Sequence, residues 1–155
     1  MFDLAAELPR LLPKAIAWAE NEAAAAQTTG VPLNATGLRL AHLVGVQRPE
    51  LIRVVEAQTL PYPSDPELSF AAQQVGLLGP GIAGLTLGHA VFILTGHRSN
   101  RLVSHECRHV YQYETAGSIA AFLPLYLAQI AAHGYENAPF EIDARAHERD
   151  ADGLG

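Results

Sequence analysis

Apolar residues recur near helical spacing through residues 3 to 27, where Leu4, Leu8, Leu11, Leu12, Ile16 and Trp18 stand in an Ala-rich stretch. That pattern predicts one or two helices, the second starting near Pro13 and ending at Gly30, Pro32 and Asn34. A short helix follows at 35 to 44. The pattern then changes. LIRVVEA at 51 to 57 is β-branched, bounded by Pro49 and the Pro-rich run LPYPSDPE, and reads as a strand. Asp65 as cap and Pro66 at a first helical position predict a helix over 66 to 76. Beyond a Gly-rich loop, LTLGHAVFIL at 85 to 94 reads as a second strand. Residues 98 to 116 lack Pro and Gly, with Ser99 or Asn100 placed to cap a helix and Gly117 to stop it. The apolar run 116 to 132 reads as a buried helix, and Pro139 opens a last one.

No repeat or linker divides these elements, so the 155 residues are expected to form a single domain. Its N-terminal helical part is 1 to 45, and 50 to 150 carry the sheet and the chemically loaded helices. A net charge of −6 with no basic patch argues against a nucleic-acid partner. Cys107 is the sole cysteine, so no internal disulfide forms. The opening MFDLAAELPRLLPK carries Asp3 and Glu7 and is broken by Pro9 and Pro13, unlike a signal peptide. Residues 76 to 96 are interrupted by glycines, Pro80 and His89, and 116 to 132 fall short of the roughly 20 residues of a membrane span. No membrane insertion and a cytoplasmic location are the expectations. Oligomeric state leaves no mark on the pattern.

The helix at 98 to 116 carries His105, Glu106 and His109 in the spacing HExxH. At 3.6 residues per turn, positions four apart share a face, so both imidazoles can meet one metal ion. Glu106 lies about 100° away, off the metal but within reach of water on it. Cys107, about 200° from His105, should point into the core. Arg108 makes either a structural contact or one to a substrate carboxylate.

A hydrolytic zinc site needs a third protein ligand. Glu141, early on the helix that Pro139 starts, is the choice, because a carboxylate on a second helix completes a His2Glu set. Asp143 is its competitor, pointing about 200° away on the same helix. His147 and Glu148 are fallbacks and Glu136 lies on the approach, while Glu148, Arg149 and Asp150 are expected to form an exposed face. A developing oxyanion wants a donor. Tyr135, Tyr113, His133 and His89 are candidates, with Tyr135 preferred because it shares a loop with the ligand helix.

HECRHVYQYE followed by PFEIDARA resembles the small zincin-type metallopeptidases of the gluzincin kind, and bacterial minimal zincin domains whose motif continues HExxHVxQ. The likeness covers roughly residues 85 to 150. It implies His105, His109 and Glu141 as zinc ligands and Glu106 as general base. The chain departs from metzincins, with Gln112 and Thr115 where that clan has Gly and His. It also has Arg145 where many gluzincins have Asp, so no partner is assigned to fix the histidine tautomers, although Gln112 can fill part of that role.

The expectation is therefore an α+β, zincin-like domain: a small mixed sheet packed against the HExxH helix and a C-terminal ligand helix. It would hold Zn2+ and hydrolyse a peptide or protein substrate. Two other readings stand beside it, a zincin fold serving as a metal-binding regulatory or interaction module, and a helical interaction domain whose HExxH is accidental.

Overall fold

The computed structural model describes residues 1–150. They form six α-helices and a three-stranded mixed sheet, an α+β arrangement. α1 (Leu4–Thr29) and α2 (Ala35–Leu43) lead through a single 3-10 turn to β1 (Arg53–Ala57). α3 (Pro66–Gln74) follows, then β2 (Gly84–Leu87), β3 (Ala90–Leu94), α4 (Asn100–Ala116), α5 (Ile119–His133) and α6 (Pro139–Ala146). In the order β1-β3-β2, β1 runs parallel to β3 and β2 antiparallel to it, so β2 is an edge strand.

The sheet is covered on both faces, which its side-chain alternation records. Val91 and Ile93 of β3 turn to one side with Val54, where Leu40 of α2, Val44 just after it, and Val103, Cys107 and Val110 of α4 complete a core. Ala90 and Phe92 turn to the other side, against Ala19 and Ala26 of α1 and Phe122 and Leu123 of α5. A third core joins Leu4 and Leu11 of α1, Ala71 of α3 and Ile130 of α5. Lys14 pairs with Asp65 at 3.0 Å and Glu67 at 2.9 Å, and Arg10 also reaches Glu67, so exposed ion pairs bind α3 to α1.

One open alternative is decided and two expectations need correcting. Of the one or two helices expected at the N-terminus there is one, 26 residues long and running through Pro9 and Pro13. Each proline removes a helical N–H, at a cost of about 3 kcal/mol, and the apolar stripe of Leu4, Leu11, Ala19 and Ala26 stays on one buried face across both. The second strand is a hairpin, because Gly88 at φ +66° reverses the chain between Leu87 and Ala90. Finally, α5 is buried along one face only: Phe122, Leu123 and Ile130 are inside, whereas Leu125 is 52% exposed. No single helix among the described residues is long and apolar enough to cross a membrane; α4 and α5 meet at 115°.

Candidate metal centre

α4 begins where the Ser99 hydroxyl accepts from the Leu102 amide at 3.1 Å, and it ends at Gly117, left-handed at φ 108°. Between them nothing interrupts the 3.6-residue period, so His105 and His109 stack edge to face with ring centroids 5.0 Å apart. α6 is fixed opposite. Pro139 opens it with no N–H to satisfy, the Phe140 amide donates to Gln129 Oε1 of α5 at 2.8 Å, and Gln112 Nε2 of α4 donates to the Phe140 carbonyl at 3.0 Å. Glu141, in the first turn of α6, is thereby delivered to the two imidazoles.

Glu141 Oε1 lies 3.3 Å from His105 Nε2 and Oε2 lies 3.2 Å from His109 Nε2. The other ring nitrogens are already engaged: His105 Nδ1 with Glu148 Oε2 at 2.9 Å, and His109 Nδ1 with Gln112 Oε1 at 2.8 Å. Glu148 when ionised only accepts, and the amide group of Gln112 spends its N–H bonds on Phe140 and Asp143, so both Nδ1 atoms are assigned as donors. That leaves both Nε2 lone pairs aimed at a carboxylate. Such an arrangement calls for positive charge between them, either two protons or a cation.

The donor set fits a cation. Ligand atoms of His105, His109 and Glu141 lie within 4.8 Å of one another. Zinc bonds of about 2.0–2.2 Å at tetrahedral angles place neighbouring donors about 3.3–3.6 Å apart, and each Nε2 stands at close to that separation from one oxygen of the Glu141 carboxylate. Glu141 Oε1 is buried without a hydrogen-bond partner, the kind of orphaned acceptor that a bound ion satisfies. With no ion bound, burial lowers the His109 pKa but the adjacent Glu141 carboxylate raises it further, to about 9. His105 is raised by the same opposition. Burial pushes Glu141 up, and the two adjacent imidazoles together with the Tyr126 hydroxyl pull it well below the ordinary carboxylate range.

Glu106 is turned toward β2. The Thr86 hydroxyl donates to its Oε1 at 2.7 Å, and the Thr86 carbonyl in turn accepts from the Tyr113 hydroxyl at 3.2 Å. A Cβ at Gly84 would sit 2.8 Å from Glu106 Oε2, so glycine there makes room for the carboxylate. The ladder alternates hydrogen-bonded and outward-facing residues. Since the Leu94 amide bonds the Ala83 carbonyl, Gly84 and Thr86 present their backbone groups to the sheet's outer edge, beside Glu106. Glu106, His109 and Glu141 open together on one cavity of about 160 Å³.

The other candidates separate cleanly. Tyr135 borders this cavity, and burial with the Glu141 charge keeps its hydroxyl protonated. Tyr113 lines it too, but its hydroxyl is held by Thr86. His133 is exposed and His89 is held by Glu114 at 3.0 Å, so neither joins the centre. Asp143 faces away: Arg108 grips it through Nε at 2.7 Å and Nη2 at 3.3 Å, and Gln112 Nε2 adds a bond at 2.9 Å. Arg108 also donates to the Val44 carbonyl and stacks on Tyr111, so its contacts are structural. His147 is turned to the Asp143 carbonyl, and Glu136 is exposed. Cys107 is fully buried, and burial pushes its thiol up to about 12.

Glu148 does not form the exposed face expected with Arg149 and Asp150. The chain after α6 folds back on α4, where the Arg149 amide donates to Ser104 Oγ and Glu148 reaches His105. Asp150 stays exposed. Tyr126, which the sequence reading passed over, donates its hydroxyl to Glu141 Oε2 at 2.8 Å. Its signal was a polar atom inside an apolar helix, facing the ligand helix. Compared with protein-family models, curated proteins and solved structures, this chain finds no match.

Proposed function

We propose that this chain is a zinc-dependent hydrolase of peptide bonds in a zincin-like fold, with His105, His109 and Glu141 as ligands and Glu106 as general base. The observation that carries the reading is the convergence of two Nε2 lone pairs and an orphaned carboxylate oxygen beside a second buried carboxylate. When bound, zinc would lower the pKa of its water to about 7 and polarise the scissile carbonyl. Glu106 would take a proton from the water as its oxygen bonds to the carbonyl carbon, and would give that proton to the amine as the C–N bond breaks. Thr86 orients Glu106 through one carboxylate oxygen, leaving Oε2 for the proton. Tyr135 supplies a protonated hydroxyl on the cavity wall for the developing oxyanion. Gln112 and Glu148 hold the imidazole tautomers, and Tyr126 holds Glu141. An extended peptide would run beside the outer edge of β2 at Gly84.

A second reading draws on burial. Glu106 is 4% and Glu141 2% exposed, which suits a metal-binding module that does no chemistry. One experiment separates the two. Purified protein is expected to carry one zinc per chain, seen as an anomalous-scattering peak between residues 105, 109 and 141. Glu106→Gln should keep that zinc while cleavage of a diverse peptide library falls by about 10²–10⁴-fold. Equal cleavage by both zinc-loaded proteins leaves the module, and protein with no stoichiometric zinc leaves a buried His–Glu–His ion cluster.

A further inference from the structure

We propose that the cavity beside the metal centre receives one apolar side chain of leucine or phenylalanine size, from the residue next to the bond that is cut. The inference rests on the peptidase reading and adds its substrate class. The cavity has a polar end, formed by Glu106, His109 and Glu141, and an apolar body walled by α1, α3 and α5. Apart from those three and three tyrosines, no titratable residue lines it among the described residues. A ligand there must join a reacting polar group directly to an apolar one, as a peptide does at a large aliphatic or aromatic residue. A charged side chain would lose its hydration with no partner to replace it.

Size narrows the occupant. A volume of about 160 Å³ is close to the roughly 150 Å³ of an engineered apolar cavity that binds benzene. It takes one side chain and excludes a long acyl chain. The space exists because Ala15 of α1 and Ala71 and Ala72 of α3 stand where larger residues would fill it. A void of this size weakens a core in proportion to its volume.

The test has two readouts. In chelated protein, toluene should raise the thermal midpoint of wild type and not of Ala15→Leu or Ala72→Leu, which fill the cavity from two different helices; decanoic acid should not raise it. In zinc-loaded protein, kcat/KM for peptides with Phe or Leu beside the cleaved bond should exceed that for Ala or Lys by at least about tenfold. That preference should shift toward Ala in either filled variant, at unchanged zinc content. A toluene-insensitive midpoint, stabilisation by decanoic acid, or cleavage indifferent to side-chain size overturns the inference and leaves the peptidase reading standing. Absence of zinc, or of cleavage that depends on Glu106, overturns that reading and this one with it.

Discussion

The two faces of α4 are shut off from solvent almost equally and are built on opposite terms. Val103, Cys107 and Val110, at 0–3% exposure, pack into one apolar core with residues of α2 and the sheet. Glu106, His109 and Gln112, at 4–7%, meet carboxylates, a hydroxyl and an amide. The first face stabilises the fold by removing apolar surface from water. The second must offset the desolvation of every polar group it contains, and it leaves one acceptor, Glu141 Oε1, without a hydrogen bond. Polarity held so deep at such a cost favours a binding site over a core. That contrast supports a ligand for the polar face more strongly than the HExxH spacing does alone.

The contrast breaks most visibly if polarity is moved to the wrong face. Val110→Asp places a carboxylate where nothing can pair with it, and should destabilise the protein by about 4 kcal/mol or more, read from denaturant midpoints. The reverse exchange should not. Replacing the cluster with apolar residues of similar volume, as His105→Met, His109→Leu and Glu141→Met together, should abolish zinc binding. In chelator, stability should stay level or rise by about 1–4 kcal/mol, since buried ion clusters are often no more stabilising than apolar packing. A triple variant that unfolds would mean that the cluster holds the fold together, and the contrast would fail.

How much of this contrast could be read from the chain depends on the range of each interaction. Ser99, Gly117, His105 and His109 obey rules acting within a turn or two, and the helix formed as expected. Glu141 followed from the chemistry of the ligand set and from Pro139 as a helix start. The hairpin was missed because LTLGHAVFIL is apolar apart from Thr86 and His89, and its break rests on one glycine's positive φ. Glu148 was misplaced because its role depends on residues 148 and 149 folding back onto α4, a tertiary contact. Yet it stands seven residues after Glu141, a spacing that returns to the same helical face. The partner left unassigned by Arg145 is likewise supplied elsewhere, by the chain from His109 through Gln112 to Asp143 and Arg108. The alanines that leave the cavity open belong to an unexceptional helical stripe, and nothing local says what that stripe faces.

That chain gives the next expected effect. Gln112→Ala removes the acceptor that fixes the His109 tautomer and a donor to Asp143, and should weaken zinc binding by about 10–100-fold in a competition titration with a fluorescent chelator. Glu148→Ala should act in the same range through His105. Neither should match the loss on removing a ligand, and an affinity unchanged in both would mean that the tautomers are set without them.

The remaining effect expected is the dependence of the chelated protein on pH. Burial opposes charge on His109, but Glu141 overrides it and raises the folded pKa from about 6.5 to about 9. A pKa raised by folding means that the folded state holds the proton more tightly. The stabilisation is therefore complete below pH 6.5 and lost as pH rises through 9, so thermal midpoints in chelator should fall across that window. Glu141 titrates too far below it to contribute, because its own carboxyl is held under the ordinary range. Zinc affinity should run the other way and increase over the same window, since each ligand nitrogen must lose its proton to bind. His109→Leu should flatten the stability slope in chelator, whereas Val103→Ala on the opposite face should lower the midpoint and leave the slope unchanged. A wild-type midpoint level from pH 6.5 to 9 would show that no proton sits between His109 and Glu141 and that the two faces of α4 differ less than their side chains suggest.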